Sequence, residues 1–496
     1  MKVSKKIKSG FEDMISNIFK NDKFFLVVIL LFVLSSISIY MALGMADDAF
    51  PGSESNYNMR VARQISESGW DLEILRQDNV DDYSSFTSSL HINLHTLFLS
   101  LVYGLPAYVL KILNVFISAV LIFLLHLFMR QNRFNPILRN TTLLILAFTP
   151  TIIYNSLVLS ALPSFVILCL LSLIMLKKRM FLVTLISLLV PLYGIFYSVV
   201  YIFILLVYSF STEMTKNIHY PASMMIFSSI TLQSFGFNPS VFPITMESLY
   251  MTSVELITEF GGLRSIGVMG LTVALIGLFK SFINREQPAL QLATLILLIS
   301  SIAIDFKLIF IVIMILCGYA ANGIKMLLDR KWFSYDLKRL TILIIACGIL
   351  FTQLTYIPTA VSLEPRPEKA NALDWMSRRL EPGIVLTSTD YSVYVQNIAG
   401  MTTLSNYFER NAAVEILIND IFKSRDLGRT RRQLIEYGID YIYIDDDIRS
   451  SVWLHDRDGL LFLLDNEDNF RLLFDGEGGV KIYEFIGDPD LEILRP

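Results

Sequence analysis

Apolar residues run along this chain in long blocks, without the alternation of a half-buried strand or the single stripe of a surface helix. Phe24–Ile39, Val115–Met129 and Leu340–Phe351 contain no Asp, Glu, Lys or Arg. Eleven such stretches lie near 24–44, 106–129, 138–156, 161–176, 180–194, 196–211, 218–235, 264–282, 288–304, 307–325 and 340–358. Each is close to the length a helix needs to cross a ~30 Å hydrocarbon core. The pattern predicts an α-helical polytopic membrane protein of about 11 spans. Pro191, Tyr193 and Gly194 interrupt the fifth and sixth stretches, which read as one broken helix or two short ones.

Three polar segments are too long to be plain connectors: 45–105, 236–263 and the tail, 360–496. The first carries a helical pattern at Tyr57–Ser68 and a more apolar one at Leu94–Tyr103. In the tail, helix-like Ala370–Arg379, Ala412–Phe422 and Arg429–Tyr437 alternate with strand-like Ile384–Thr387, Tyr441–Ile444 and Val480–Phe485. A small C-terminal α/β or α+β domain is expected there. It follows a basic N-terminus at 1–23 and a membrane domain at 24–359 that includes the loops 45–105 and 236–263.

Composition agrees. Hydrophobic residues make up 54% of the 496 and charged residues 17%, where a soluble domain has about a quarter charged. The charge is divided. From Ala360 onward 15 Lys+Arg face 25 Asp+Glu, and before it 26 face 20. No block of basic residues suggests a nucleic-acid partner. Six lysines in Met1–Lys23 place that end in the cytoplasm, and the apolar stretch after them reads as a retained span rather than a cleavable signal. Arg130, Arg133, Arg139, Lys177, Lys178, Arg179, Lys216, Arg285, Arg330, Lys331, Lys338 and Arg339 all fall on the same side. An odd number of crossings then makes the acidic tail extracytoplasmic, in a multi-pass protein of the cell membrane. Cys169, Cys317 and Cys347 lie in apolar stretches and read as small buried hydrophobes, with no disulfide or metal spacing.

Candidate chemistry collects outside the spans. Asp47 and Asp48 end the first stretch, and Glu54, Tyr57 and Arg60 follow. Carboxylates at a membrane surface can hold a divalent cation or act as a base toward a substrate presented from the bilayer; a solvated loop fits the same residues. His91 and His95 share a helical face, with no third ligand nearby. Glu255, in Thr252-Ser-Val-Glu255, could orient a hydroxyl or amide, as could Glu259. Asp305 and Lys307 break an apolar stretch, either as a loop pair or with Lys307 on a lipid phosphate. In the tail, Ile384–Leu386 is a short strand and Ser388–Ser392 its polar exit. Asp390 and Tyr391 are expected on a turn facing a membrane cavity, with Trp375 buried in the tail's core.

Together these features resemble the GT-C superfamily of polyprenyl-phosphate-dependent glycosyltransferases, most of all the archaeal oligosaccharyltransferase catalytic subunit. Four stretches carry the resemblance: Glu54-Ser-Asn-Tyr57-Asn-Met-Arg60 with the helix after it to Gly69; Thr252-Ser-Val-Glu255; Phe306-Lys307-Leu-Ile-Phe; and Trp375 with Ser388-Thr389-Asp390-Tyr391-Ser392, Tyr394 and Gln396. The family's loop-one metal Asp falls on Glu54, with Asp48 the alternative that other GT-C enzymes favour. Its Thr/Ser-x-x-Glu signature falls on Glu255, its pyrophosphate-binding base on Lys307, and its Trp-Trp-Asp-Tyr-Gly segment on Ser388–Ser392. Here Ser388 and Thr389 stand for the two Trp and Ser392 for the Gly. The second acidic pair expected after the third span falls on Leu157–Leu162, which has no carboxylate.

The resemblance implies a membrane glycosyltransferase that moves a sugar or oligosaccharide from a polyprenyl- or dolichyl-phosphate-linked donor to a protein or glycan acceptor on the outer face. Asp48, Glu54 and Glu255 would be catalytic. They would also ligate a divalent cation, Mg or Mn. Asp47, Tyr57, Arg60, Lys307, Asp390 and Tyr391 would bind substrate, among surrounding membrane lipids. The acceptor is expected to be other than a standard glycosylation sequon, or a looser one, since both Trp are replaced. A transporter, a lipid-binding scaffold or a non-catalytic GT-C paralogue is the alternative. A transporter usually carries mid-bilayer charge and repeat symmetry, and neither is visible.

Overall fold

The computed structural model describes residues 19, 21–43, 49–70, 93–176, 179–211, 219–234, 262, 265–284, 288–303, 306–361, 363–405, 412–453, 455 and 458–486. In chain order the helices are α1 (Phe24–Ala42), α2 (Ser53–Glu67), α3 (Leu94–Val102), α4 (Ala107–Gln131), α5 (Pro136–Ala147), α6 (Pro150–Leu157), α7 (Ala161–Met175), α8 (Met180–Leu189), α9 (Ile195–Ser211), α10 (His219–Ser234), α11 (Val268–Ile283), α12 (Pro288–Ala303), α13 (Ile309–Asp329) and α14 (Tyr335–Val361). The tail continues with α15 (Pro367–Arg379), β1 (Ile384–Leu386), α16 (Thr389–Tyr394), β2 (Thr402–Thr403), α17 (Ala412–Lys423), α18 (Leu427–Glu436), β3 (Ile439–Ile444), α19 (Asp446–Val452), α20 (Leu460–Leu463), β4 (Phe470–Asp475) and β5 (Lys481–Phe485).

Each of the eleven apolar stretches holds helix. Among the described residues, α1, α4, α13 and α14 are individually long and apolar enough to cross a membrane, and α5 with α6 would make a fifth span bent by 54°. Pro150 explains the bend. It opens α6 at its first turn, and Thr149 before it is extended. The fifth and sixth stretches form two helices. Pro191 sits in a 3-10 turn, Val190–Tyr193, and Gly194 at φ 115° separates it from α9.

The chain forms two compact units, Met1–Leu43, Asn93–His95 and Val109–Ser362 in one, Gly44–Ile92, Thr96–Tyr108 and Leu363–Pro496 in the other. The loop helix α2, which the sequence places in the membrane domain, is thus grouped with the tail.

In the first unit, helices meet through small residues and hydroxyls. Tyr193 and Tyr201 donate to Ser164 Oγ at 3.0 Å and Ser172 Oγ at 2.8 Å, joining the α8–α9 segment to α7. α11 and α13 come closest. A Cβ added at Gly277 would lie 1.9 Å from the Tyr319 carbonyl oxygen, and one at Gly323 would lie 2.3 Å from that of Val273. Only glycine allows this approach. Gly323→Leu is expected to destabilise the purified protein by about 1–3 kcal/mol or more through overpacking. Gly318→Ala, whose Cβ would meet nothing within 4 Å, is the control. Equal thermal midpoints in detergent for the two variants would overturn this account.

In the second unit a five-stranded sheet runs β2-β1-β3-β5-β4, with β2, β1 and β3 parallel and β5 antiparallel to both β3 and β4. Ile439-Asp-Tyr-Ile-Tyr-Ile444 is buried along almost its whole length, as suits a central strand rich in β-branched and aromatic residues. β4 lies at the edge, where Arg471 pairs across with Glu484 through Nε at 2.8 Å. The core gathers Leu373, Met376, Val385, Ile442, Phe422 and, from the loop helix, Tyr57, Val61 and Ile65. Those three recur every four residues, so one stripe of α2 completes the tail's core. Trp375, expected in that core, is half-buried against Phe474, ring centroids 5.0 Å apart. It sits beside the edge strand because the interior positions of α15 are taken by Ala372, Leu373 and Met376.

Candidate functional site

The start of α2 is fixed by polar side chains buried at its first turn. Gly52, at φ 80°, donates its N–H to the carbonyl of Glu364 at 2.7 Å. Asn56 donates through Nδ2 to the carbonyls of Phe50 at 2.7 Å and Gly52 at 3.0 Å. Ser55 donates to the Pro51 carbonyl at 2.5 Å. Glu54 lies in this turn and is buried, at 8% exposure. The exposed amide dipoles of a helix start favour a carboxylate there.

Side-chain hydrogen bonds lock α2 onto the segment 394–397. Ser53 Oγ and Tyr394 OH are 3.0 Å apart. Asn397 Nδ2 donates to Asn56 Oδ1 at 2.8 Å. Arg60 donates to Gln396 Oε1, and Arg63 donates to the carbonyl of Asn397 at 2.6 Å. Gln396 reaches on through Nε2 to Thr403 Oγ1 at 2.6 Å. Burial lowers the Arg60 pKa, Tyr57 opposes that, and the like charge of Arg63 adds to it. Gln396→Leu removes the acceptor from a largely buried guanidinium. A cost of about 1–3 kcal/mol is expected, read as faster hydrogen exchange in α2. Unchanged exchange would show that Gln396 does not hold this helix.

The structure brings Glu54, Tyr57, Arg60, Asp390 and Tyr391 into one unit, with α2 against α16 and the π-helical turn Val395–Ala399. Their roles there differ from the expectation. Asp390 is exposed in the first turn of α16. Tyr391 is not on a turn. It is buried, stacked on Tyr443 with ring centroids 5.0 Å apart and planes 11° apart. Burial pushes its hydroxyl pKa well up, and Tyr443 and Asp445 push further. Its ring packs the tail's core. Tyr57 is likewise a core residue at 3% exposure. Lys307 lies in the first unit, half-buried in the 3-10 turn Phe306–Leu308 that leads into α13. Asp47, Asp48, Glu255, Glu259, His91 and Asp305 lie outside the described residues.

Two clusters went unread in the sequence. One is the Asn56–Asn397 and Gln396–Thr403 network. The other is Lys369, buried in α15, with Nζ 2.9 Å from Asp445, 3.3 Å from Glu364 and paired with Asp447. Both join residues distant in sequence, which periodicity does not report.

The segment aligned with the family's second acidic pair does not fit a metal. From Leu157 to Leu162, Leu157, Val158, Leu159, Ser160 and Leu162 are buried, Ala161 is half-buried, and none is a carboxylate. The carbonyls freed at the end of α6 are already taken. Asn114 Nδ2 donates to those of Asn155 at 3.1 Å, Ser156 at 2.8 Å and Val158 at 3.0 Å, and Tyr40 OH donates to that of Leu157. Among the described residues no group of three or more His, Cys, Asp or Glu could hold a metal ion.

No protein-family model and no curated protein sequence matches the chain. Solved structures do match. Archaeal oligosaccharyltransferase AglB from Archaeoglobus fulgidus, in complex with an inhibitory peptide and a dolichol-phosphate, superposes with a TM-score of 0.53 at 12% identity over 95% of this chain and 75% of that one. ArnT from Cupriavidus metallidurans, bound to undecaprenyl phosphate, gives 0.53 at 12% identity over 92% and 97%. The Archaeoglobus fulgidus oligosaccharyltransferase complex with Zn and sulfate gives 0.50 at 11% over 84% and 68%. The fold of this chain is therefore that of the GT-C membrane glycosyltransferases.

Proposed function

We propose that this chain is a multi-pass membrane glycosyltransferase that moves a sugar or oligosaccharide from a polyprenyl-phosphate-linked donor to an acceptor on the outer face of the membrane. The observation that carries the reading is α2. Its first turn buries Glu54, and the helix is clamped to the tail through Asn56–Asn397 and Arg60–Gln396. The fold is shared with structures that hold dolichol-phosphate and undecaprenyl phosphate.

In this reading Glu54, with Asp48 as its alternative, takes the proton from the acceptor hydroxyl or amide. The acceptor atom then bonds to C1 of the sugar as the C1–O bond to phosphate breaks. Polyprenyl phosphate or diphosphate leaves as an anion. Lys307 offsets that charge, and Glu255 orients the acceptor. Arg60 and Tyr57 hold α2 in place, and Asp390, exposed in the first turn of α16, contacts the acceptor together with Asp47. The neutral Leu157–Leu162 segment offers a divalent cation no carboxylate. Ser388 and Thr389 offer no large apolar grip, so the acceptor is a glycan or a peptide outside the standard sequon. The N-terminus lies in the cytoplasm and the tail outside.

A non-catalytic GT-C chain is the second reading, favoured by that same neutral segment. Purified protein in nanodiscs, given radiolabelled polyprenyl-phosphate sugars and a panel of glycan and peptide acceptors, separates the two. Acceptor-dependent release of polyprenyl phosphate supports transfer. Its absence with every donor and acceptor, from protein that still binds polyprenyl phosphate, supports the second reading.

A further inference from the structure

In the first unit a groove of about 500 Å³ runs along α11, within the roughly 300–1,000 Å³ range of small-molecule sites. Leu275, Ile276, Phe279 and Ile283 of α11 and Met326 of α13 line it, and Lys280 and Asn284 stand at its polar end. Leu275, Phe279 and Ile283 are 52%, 67% and 62% exposed. The Lys280 side chain, in the last turn of α11, makes no ion pair or hydrogen bond among the described residues.

The level of the headgroups is marked by the chain itself. One turn beyond Met326, α13 ends in Asp329-Arg330-Lys331-Trp332-Phe333. Phe333 is fully exposed, Trp332 Nε1 donates to the Leu327 carbonyl at 2.7 Å, and Arg330 lies 5.8 Å from the Trp332 ring. Aromatic and basic residues at the end of a crossing helix belong at the bilayer interface. The lysine stem can lie along apolar surface with its ammonium at that level.

We propose that this groove binds an anionic glycerophospholipid, one acyl chain along Leu275, Phe279 and Ile283 and its phosphate on Lys280. Charge complementarity selects the lipid. Lys280, Arg330 and Lys331 attract a net negative headgroup and oppose the choline of a zwitterionic one. The site does not depend on the glycosyltransferase reading.

Phe279→Trp places a reporter in the groove of the full-length protein. It is reconstituted in phosphatidylcholine nanodiscs containing a minor fraction of acyl-brominated phosphatidylglycerol or, separately, acyl-brominated phosphatidylcholine. Quenching beyond that of the parent protein, which has its own Trp332, should favour phosphatidylglycerol about fivefold. Lys280→Gln should remove the preference and Lys280→Arg should keep it. Equal quenching by the two lipids, or a preference that survives Lys280→Gln, overturns the proposal. Displacement of phosphatidylglycerol by equimolar polyprenyl phosphate overturns it too, and assigns the groove to that lipid. Ile283→Trp serves in the same assay if the first variant does not fold.

Discussion

Lys369→Met is expected to destabilise the tail by about 3–5 kcal/mol, the usual result of stranding a buried charge. Lys369 and Asp445 have side chains only 4% and 1% exposed. Asp445 has two tasks. Its Oδ1 accepts from the Ile448 N–H at 2.8 Å and caps α19, while Oδ2 receives Lys369 at 2.9 Å. Removing the ammonium leaves a carboxylate that water does not reach. Hydrogen exchange of β3 and α19 in the full-length protein measures the loss. The double variant Lys369→Met with Asp445→Asn should recover most of it, since an amide keeps the cap and carries no charge. A single variant within 1 kcal/mol of the parent, a threshold set by surface pairs, would show that the pair contributes little.

The same cluster sets a pH window. Burial alone would lower the Lys369 pKa, but Asp447, Asp445 and Glu364 outweigh it and the net shift is upward. The hydrogen bond from Lys369 is the largest influence lowering the Asp447 pKa. A cation with a raised folded pKa gives stability that is complete below its unfolded value, about 10.4, and fades as pH rises through the folded one. A carboxylate with a lowered folded pKa gives stability that is complete above about 3.9 and fades as pH falls through the folded one. The cluster's contribution is therefore flat across neutral pH.

What could be read in advance follows from range along the chain. The apolar blocks announce their helices because the membrane demands them residue by residue. β3 and β5 announce themselves through clustered β-branched and aromatic residues. β4 does not. Phe470-Arg-Leu-Leu-Phe-Asp475 has no strict alternation, because at the sheet edge Leu472 stays 46% exposed. β2 is two residues long, too short to leave a pattern. α2 was expected from Tyr57 but begins at Ser53. Its first turn is polar and buried, satisfied by Tyr394 and Asn397 more than 300 residues away. Ser388–Ser392 reads as a polar turn by composition, yet Tyr391 docking on Tyr443 draws it into a helix. Glu54, Arg60 and Gln396 were legible through the resemblance, whereas Arg63 and Asn56 gain their meaning only when the partner segment is in place.

Glu54→Gln is expected to cut transfer by about 10²–10⁴-fold, the usual worth of a positioned base. The amide has nearly the shape of the carboxylate, so the helix start should survive. Asn56, Ser55 and Gly52 hold it independently of Glu54. The loss should fall on kcat, with the donor's KM little changed, because proton removal belongs to the transition state and not to donor binding. Glu54→Asp should keep part of the activity, since a shorter side chain misplaces the base without removing it. Hydrogen exchange of α2 provides the control. A drop in turnover with α2 as protected as in the parent assigns the chemistry to the carboxylate. A drop that tracks loosening of α2 would make Glu54 a structural residue, and undiminished turnover would move the base to Asp48, for which Asp48→Asn is the matching variant.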